Sequence, residues 1–255
     1  MTLRFASIGS GSQGNATLVE KYNTCLLIDC GFSFTQVQRR LARLGRCADD
    51  LTAILVTHEH SDHIRGIATL AGKRNIPVWM TPGTAAQIDV SGIPDLRLFN
   101  CHEPFIINDL QVNPYPVPHD AREPCQYVFT DGNARFGLLT DTGCSTRHIE
   151  ESLSGCDALM LECNHDSGML MGGTYPQPLK DRIGGRYGHL SNEQSMDLLS
   201  CLDCSRIQHV VAAHLSEKNN TPFLARLALS RPLDCTPEWI GVADQETGLS
   251  WREIV

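Results

Sequence analysis

The sequence lacks any apolar run of the length that a membrane-spanning helix requires. Such a helix needs about 20 consecutive apolar residues, whereas the apolar stretches here are short. The first nine residues also lack the basic segment, the longer apolar stretch and the small-residue cleavage site of a secretion signal. The sequence therefore predicts no association with a membrane and favours a protein of the cytoplasm.

An excess of positive charge is also missing, since the formal net charge is −8. Broad, sequence-independent binding of nucleic acid depends on many contacts between basic side chains and phosphates. The negative net charge argues against such binding. It does not exclude a nucleic-acid substrate that is held at a single cationic site. One basic cluster, Arg39, Arg40, Arg43 and Arg46, lies on or just beyond a predicted helix, and we interpret it as a solvated face.

The cysteines lack the even number and the paired spacing of a disulfide framework. There are 11 of them, scattered through apolar stretches, which predicts reduced thiols that pack as small hydrophobic side chains. Cys201 and Cys204 form one CxxC pair, but a structural zinc site would need a second pair at suitable spacing. The chain has no evident repeat, low-complexity tract or linker, and residues 1–255 are predicted to form a single domain.

What the sequence does contain is a series of short apolar strands that each end in a polar residue. These strands end at Asp29, His58, Asp141, Glu162 and His214. Helical patterns over residues 35–44, 64–72 and 191–203 alternate with them, and Ser191 with Gln194 is a plausible capping box for the last. Such alternation indicates an α/β fold in which a rigid sheet presents polar side chains at its edge.

The segment from His58 to His63, which reads His-Glu-His-Ser-Asp-His, concentrates potential metal ligands within six residues. Neutral imidazole and carboxylate both bind zinc and other first-row metals. His58 and His60 can share one ion from an extended segment, whereas Asp62 and His63 follow where a helix begins and can reach a second. Dinuclear hydrolytic sites hold their ions about 3.5–4 Å apart. The pattern therefore predicts a two-metal hydrolytic site.

His58-x-His60-x-Asp62-His63 resembles the motif of the metallo-β-lactamase superfamily. This resemblance implies an αββα four-layer sandwich, with two mixed β-sheets flanked by helices. It implies one ion on His58, His60 and His119, and a second on Asp62, His63 and His214. Asp141 would bridge the two ions, and Asp29 would orient the metal-binding loop. The implied cofactors are two divalent ions, with zinc or manganese favoured and iron also compatible.

Finer motifs resemble the YycJ (WalJ) group of that superfamily. They are the glycine-rich loop of residues 9–15, together with segments 162–166, 188–192 and 214–220. The resemblance implies a phosphodiesterase or nuclease, with a 5′ exonuclease activity on DNA or RNA ends as one form. The loop could also offer backbone N–H groups to an anion, although a tight connection between strands is the simpler interpretation.

Several further residues are candidates for catalysis or substrate binding. Asp62 and Asp141 are counted as catalytic because they would hold the ions that activate a water. His189 could protonate the leaving group or contact a phosphate, His165 is a weaker candidate, and a packing role is open for both. The predicted substrate contacts are Lys180, Arg182, Arg186 and Asn164. For the three basic residues, a solvated loop is the alternative.

Other functions use the same fold. A thioester or lactone hydrolase of the glyoxalase II type uses the same ligands, and a non-catalytic nucleic-acid-binding module belongs to a different class. True β-lactamases of the fold usually carry cysteine where Asp141 stands, and its diiron oxidoreductases usually carry glutamate where His60 stands. The resemblance to the YycJ (WalJ) group favours hydrolysis of a phosphodiester, with nucleic acid as the expected partner.

Overall fold

The computed structural model describes residues 2–255, and the core of the molecule is built from β-strands. The strands are β1 Leu3–Gly9, β2 Ala16–Lys21, β3 Thr24–Ile28, β4 Ala53–Leu55, β5 Val78–Met80, β6 Leu96–Leu98, β7 Phe105–Ile107, β8 Leu110–Pro116, β9 Cys125–Thr130, β10 Arg135–Leu139, β11 Ala158–Glu162, β12 His209–Ala213, β13 Gly241–Val242 and β14 Leu249–Ile254.

Helices connect many of these strands. They are α1 Phe34–Arg43, α2 Ser61–Ile64, α3 Ile67–Arg74, α4 Pro82–Ala85, α5 Arg147–Leu153, α6 Ser167–Gly172, α7 Gln177–Ile183, α8 Asn192–Cys201 and α9 Pro222–Ser230. The predicted capping box is confirmed, because the Ser191 side chain accepts from the Gln194 backbone N–H at the start of α8. The helix predicted over residues 64–72 is instead two helices, α2 and α3, which meet near Gly66. A side chain on Gly66 would collide with the Phe32 carbonyl oxygen, 2.0 Å from its Cβ position.

Within residues 2–255 the strands form two seven-stranded sheets. The orders are β14-β1-β2-β3-β4-β5-β6 and β13-β12-β11-β10-β9-β8-β7. Each sheet is mixed: β14, β1, β2 and β3 pair antiparallel while β3 to β6 pair parallel. Likewise, β7 to β10 pair antiparallel while β10 to β13 pair parallel. The predicted pair of mixed sheets is confirmed.

Three apolar clusters define four layers. The first lies between the sheets, where Phe5 stacks on Phe136 with ring centroids 4.2 Å apart. The second joins the outer face of the first sheet to α1 and α3, and the third joins the outer face of the second sheet to α5, α8 and α9. The αββα sandwich is confirmed. Across residues 2–255, no helix has the length and apolar character needed to cross a membrane.

The carboxyl ends of the parallel strands meet at one edge of the sandwich. Asp29 follows β3, Asp141 follows β10 by two residues, and His214 follows β12. These three residues have positive φ angles of 62°, 50° and 54°. Non-glycine residues rarely adopt this conformation, and where they do it often marks a functional site. The backbone thus turns sharply where each strand delivers its polar side chain.

The solvated interpretation of the basic cluster is wrong for Arg40. Its side chain is buried, and its guanidinium donates to the carbonyl oxygens of Ile8, Gln245 and Glu246. Nη1 contacts all three carbonyls and Nη2 donates to the Glu246 carboxylate, so most of the buried guanidinium is compensated.

The cysteines follow the prediction only in part. All 11 are free, and most are buried or half-buried, but Cys47 and Cys201 are exposed. Cys201 lies at the end of α8 and Cys204 just beyond it, where Cys204 packs against the third apolar cluster. The packing interpretation therefore fits Cys204 and not Cys201.

Candidate metal centre and its pocket

The predicted ligands lie together at the shared edge of the two sheets. Four overlapping groups of side chains each place one ligand atom per residue within 4.8 Å of the others. The groups are His58, His60 and His119; Asp62, His63 and His214; His58, His63 and Asp141; and Asp141, Glu162, His189 and His214. The first two groups match the two ligand sets implied by the sequence. Their role as metal ligands stays a prediction.

The first set of ligands is histidine only. His60 Nδ1 lies 3.2 Å from His119 Nε2, and the His58 ring centroid is 4.6 Å and 4.9 Å from those of His60 and His119. His58 and His119 are buried, whereas the His60 side chain is 30% exposed. The three rings surround a small space that opens on the His60 side.

The second set adds a carboxylate. Asp62 Oδ2 lies 3.5 Å from His63 Nε2 and 3.7 Å from His214 Nε2. Asp141 lies between the two sets, with Oδ2 3.2 Å from His63 Nε2 and Oδ1 3.9 Å from His119 Nε2. A carboxylate in this position has one oxygen near each set, as a bridging ligand requires.

A hydrogen-bonded chain beneath the ligands orients His58 and His63. The Thr57 hydroxyl donates to Asp29 Oδ2 at 2.8 Å, and the same oxygen accepts from His63 Nδ1 at 2.8 Å. Since the hydroxyl hydrogen is used on Asp29, the Thr57 oxygen is left to accept from His58 Nδ1 at 2.9 Å. Both rings therefore hold a proton on Nδ1 and present Nε2 to the centre, as histidine ligands do when an acceptor fixes their tautomer.

Hydrogen bonds on Nδ1 also fix the orientation of His119 and His214. His119 Nδ1 donates to the Gly188 carbonyl oxygen at 3.0 Å, and His214 Nδ1 donates to Glu162 Oε1 at 3.0 Å. In each case the partner can only accept, so the proton lies on Nδ1 and Nε2 points to the centre. Four histidines from three parts of the chain thus offer the same nitrogen.

Burial and the neighbouring carboxylates act in opposite directions on the pKa values of the histidines in the centre. Burial lowers the pKa of His58 well below its ordinary value. Burial also acts against the charged form of His63, but Asp141 and Asp29 outweigh it and hold that pKa well above its ordinary value. Asp141, Asp62 and Glu162 likewise outweigh burial at His214 and raise its pKa to about 10. The carboxylates favour positive charge at this point of the molecule.

Three buried ligand atoms fit a bound cation. His58 Nε2, His214 Nε2 and Asp141 Oδ2 have no hydrogen-bond partner among residues 2–255. Buried polar atoms are nearly always paired, and a buried unpaired carboxylate oxygen is costly. All three atoms belong to predicted ligands and face the same space, so divalent cations would satisfy them. Imidazole nitrogens and carboxylate oxygens are donors that zinc, manganese and iron accept.

Glu162 is the main residue of the centre that sequence reasoning missed. Its buried carboxylate contacts His189 Nδ1 at 2.8 Å and His214 Nδ1 at 3.0 Å through Oε1, and its Oε2 accepts from the Thr142 and Leu190 backbone N–H groups. Burial acts to raise its pKa, but His189 and His214 lower the pKa to about 2. Its position at the end of an apolar strand was the available indication.

The glycine-rich loop also contacts the centre, through a residue not predicted to act there. Asn15 Nδ2 lies 3.1 Å from His63 Nε2 and 3.4 Å from Asp62 Oδ2. The loop's N–H groups are largely used within the protein: Gly11 N donates to Asn15 Oδ1, Gly14 N to Gly11 O, and Gln13 N to Gln245 Oε1. The loop is therefore a packed connection between β1 and β2 that supports the ligands.

A pocket of about 360 Å³ opens over the predicted ligands. Three of the other predicted site residues line it, namely His189, Asn164 and Arg182. The His189 side chain is 21% exposed. Asn164 Nδ2 donates to the His214 carbonyl oxygen at 3.1 Å, and Arg182 Nε donates to Asp120 Oδ2 at 2.7 Å. Asp120 connects Arg182 to the ligands, since its other oxygen is 3.5 Å from His119 Nε2.

The structure does not bring the remaining predicted site residues to this pocket. His165 is buried and lines a different pocket, which it shares with Lys180. The Lys180 ammonium donates to the Met171 carbonyl oxygen at 2.6 Å. Arg186 is exposed outside the residues that line the metal pocket. Because these side chains lie outside the pocket over the predicted ligands, the structure gives no support to their predicted roles, which stay predictions.

The chain is similar to known proteins over most of its length. The model of a family described as "Beta-lactamase superfamily domain" matches residues 24–215. The chain is 35% identical over 238 residues to "Exodeoxyribonuclease YycJ" of Bacillus anthracis, covering 92% of this chain and 90% of that protein. It is 32% identical over 245 residues to "Exodeoxyribonuclease WalJ" of Streptococcus pneumoniae, covering 94% and 91%.

Among solved structures, the chain resembles the metallo-β-lactamase fold protein YhfI from Bacillus subtilis. The TM-score is 0.78 at 16% sequence identity, and the match covers 99% of this chain and 100% of the other. At this identity the likeness concerns the fold alone.

Proposed function

The chain belongs to the metallo-β-lactamase superfamily, as a YycJ/WalJ-like metal-dependent hydrolase, and from this premise we propose that it is a dinuclear nuclease that acts on DNA ends. The observation that carries the proposal is the meeting of the predicted ligands at one sheet edge, with His58 Nε2, His214 Nε2 and Asp141 Oδ2 buried and unpaired within residues 2–255. The names of the two bacterial relatives support DNA as the substrate. Action on RNA ends and a 5′ direction are the finer alternatives within this proposal.

The proposed ligand assignment follows the geometry. His58, His60 and His119 would hold one ion, Asp62, His63 and His214 would hold the other, and Asp141 would contact both. When bound, two divalent cations supply Lewis acidity that lowers the pKa of a water towards about 7 and stabilises charge on an attacked phosphate. Zinc or manganese suits this set of nitrogen and oxygen donors, and iron is compatible with it.

The side chains around the ligands would set the geometry of the reaction. Asp29 and Thr57 hold His58 and His63 in the tautomer that presents Nε2, so these ligands need not reorganise when substrate enters. Because His60, Asp62, Asp141 and His214 all line the pocket, a phosphodiester that enters it would lie against the predicted ligands. The substrate is thereby oriented before it reacts.

His189 is the proposed proton donor to the leaving oxygen. Its Nδ1 donates to the buried Glu162 carboxylate at 2.8 Å, and its ring lines the pocket. Glu162 would hold the ring in place, and a protonated His189 could give its Nε2–H to a leaving alkoxide. Glu162 also holds His214, so one carboxylate positions both the proposed donor and a proposed ligand.

The direct test compares substrates on the metal-loaded protein. We expect it to release nucleotides from end-labelled DNA and to hydrolyse bis-p-nitrophenyl phosphate, with no comparable activity on a thioester. An Asp62→Ala variant should lose both activities together with bound metal. Activity confined to the thioester would reject the nuclease, and full activity of Asp62→Ala would reject the metal centre.

A further inference from the structure

The loop between β1 and β2, residues 10–15, contacts one of the two predicted ligand sets and not the other. The Asn15 backbone N–H donates to the Asp62 carbonyl oxygen at 2.8 Å. The Ser10 hydroxyl oxygen accepts from the His214 backbone N–H at 2.9 Å. No hydrogen bond within residues 2–255 joins the loop to the first set, which is His58, His60 and His119. The loop therefore belongs structurally to the second set, which is Asp62, His63 and His214.

The loop itself fixes the orientation of the Asn15 side-chain amide. Asn15 Oδ1 accepts from the Gly11 backbone N–H at 2.8 Å, and Asn15 Nδ2 donates to the Gly11 carbonyl oxygen at 3.0 Å. A backbone N–H can only donate and a carbonyl oxygen can only accept, so the amide cannot be turned over. Asn15 is also buried, with 6% of its surface exposed. Its amino group is therefore the part of the side chain that meets the ligands.

One hydrogen of this amino group is left for the second set, because the other is used on Gly11. Asn15 Nδ2 lies 3.1 Å from His63 Nε2 and 3.4 Å from Asp62 Oδ2. With the lone pair of His63 Nε2 used to bind a metal, Asp62 Oδ2 is the acceptor that remains. Asn15 would then hold this carboxylate oxygen, which lies 3.7 Å from His214 Nε2, beside the histidine nitrogens of its set.

Two further residues hold Asn15 in place. The Ser10 hydroxyl lies 3.4 Å from Asn15 Oδ1 and so links the amide to the backbone of His214. The Gly31 backbone N–H donates to the Asn15 carbonyl oxygen at 3.0 Å, and a side chain at Gly31 would collide with the Asp62 carbonyl oxygen. Asn15 is thus packed closely against the segment that carries Asp62.

We propose that Asn15 is a positioning residue for the second ligand set, and that the two sets bind their ions separately. This inference rests on the two-metal centre of the proposed function. A residue that hydrogen-bonds to a metal ligand typically changes metal affinity by about 10-fold to 100-fold. The first set has no hydrogen bond to the loop, so it should keep its affinity when Asn15 changes.

The experiment measures zinc affinity by chelator competition in two backgrounds that each keep one ligand set. His60→Ala leaves the second set complete, and His214→Ala leaves the first set complete. We expect Asn15→Ala to weaken zinc binding by about 10-fold to 100-fold in the His60→Ala background and to have no effect in the His214→Ala background. An equal loss in both backgrounds, or none in either, would overturn the inference. Failure of both backgrounds to bind any zinc would show that the sets do not bind separately.

Two control variants separate this role from loop packing. Gln13→Ala removes an exposed side chain of the same loop and should leave zinc affinity unchanged. Gln245→Ala removes the side chain that contacts the Gln13 N–H and the Gly14 carbonyl oxygen, so it should lower the melting temperature but keep the zinc affinity of the second set. If Gln245→Ala weakens zinc binding as much as Asn15→Ala does, the loop acts only through packing and the assignment to Asn15 is wrong.

A measurement that leaves Asn15 unchanged covers the case in which Asn15→Ala does not fold. Zinc is titrated into isotope-labelled protein, and the NMR signals of the Asn15 side-chain amide are followed. They should shift as zinc fills the second set in His60→Ala and stay in place as zinc fills the first set in His214→Ala. No shift in His60→Ala would contradict the role of the amide.

None of these measurements needs nucleic acid, so the inference and the proposed function can fail separately. A fully zinc-loaded wild type that hydrolyses no phosphodiester would reject the nuclease and leave the role of Asn15 in place.

Discussion

The two walls of the metal pocket differ in how firmly their side chains are held. On the sheet-edge wall, His58, His63, Asp141 and His214 are all buried, and each of the three histidines has a hydrogen-bond partner on Nδ1. On the other wall, α7 has no buried residue, and its main tie to the ligands is the Arg182–Asp120 ion pair at 2.7 Å. One wall is therefore fixed by the fold, and the other is free to change with little effect on the fold.

This difference indicates that one wall holds the metal ions and the other contacts the substrate. Ligands for a cation pair must be held closely in position, which explains the positive φ angles at Asp29, Asp141 and His214 and the hydrogen bonds behind each ring. A surface that contacts a variable substrate needs no such constraint, and exposed helices tolerate substitution. Changes on the first wall should remove metal and activity, whereas changes on the second should alter KM.

The largest effect is expected at the residue that joins the two ligand sets. Asp141→Ala should lower kcat/KM on DNA by at least about 10³-fold, because each ion would lose a ligand and the reactive water its environment. Metal analysis should show fewer ions per chain. Asp197→Ala, an exposed carboxylate on α8, is the control and should keep both metal and activity. Near-normal activity of Asp141→Ala would contradict the bridging role.

A change at His189 should separate proton transfer from metal binding. His189→Gln should lower kcat on DNA by about 10²-fold, because a positioned proton donor typically contributes this much. It should lower kcat much less on bis-p-nitrophenyl phosphate, whose leaving group needs no proton, and the metal content should not change. His148→Gln, at an exposed histidine, serves as control. An equal loss on both substrates would show that His189 does not donate the proton.

A change at Thr57, which hydrogen-bonds to the predicted ligand His58, should have an intermediate effect on metal binding. Thr57→Val removes the hydroxyl that links His58 to Asp29, so metal affinity should fall by about 10-fold to 100-fold. A chelator-competition titration measures this affinity, and excess metal should restore most of the activity. Thr236→Val, at an exposed threonine, should bind metal normally. Unchanged affinity in Thr57→Val would show that the hydrogen-bonded chain is not needed to orient the ligands.

The smallest effect is expected on the side of the metal pocket that α7 forms. Arg182→Ala should raise KM for DNA by a few-fold with kcat and metal content unchanged, since Arg182 is the basic residue of the predicted trio that lines the pocket. The melting temperature should hardly change, because exposed ion pairs stabilise folded proteins little. Arg186→Ala, outside the pocket, should leave KM unchanged. A larger rise in KM for Arg186→Ala than for Arg182→Ala would reverse this assignment.

The α/β character of the fold and the ligand-rich loop followed from local patterns in the sequence, whereas the four-layer sandwich was implied by the family resemblance. Short apolar strands that end in Asp29, Asp141 and His214 imply a common sheet edge, and the spacing from His58 to His63 concentrates ligands in one loop. The remaining members came through the family resemblance, since nothing local ties His119 to residues 60 positions away. The single-domain prediction and the placement in the cytoplasm stay predictions.

Contacts between distant segments escaped sequence reasoning. Glu162 joins His189 and His214 only because β11 and β12 are neighbours and the segment before α8 folds over them. Arg40 looked solvated because helical spacing does not show that the carbonyls of Ile8 and Gln245 lie next to its guanidinium. Lys180 was grouped with Arg182 by position in the chain, but its side chain lines the pocket that contains His165 and not the metal pocket.

Removal and return of metal tests the central claim most directly. The purified protein is stripped with a chelator, then titrated with zinc or manganese while bound metal and release of nucleotides from end-labelled DNA are measured on the same sample. We predict an inactive stripped protein whose activity returns in proportion to the binding of two ions per chain. Full nuclease activity in the stripped protein, or saturation with metal without any hydrolysis of a phosphodiester, would contradict the account.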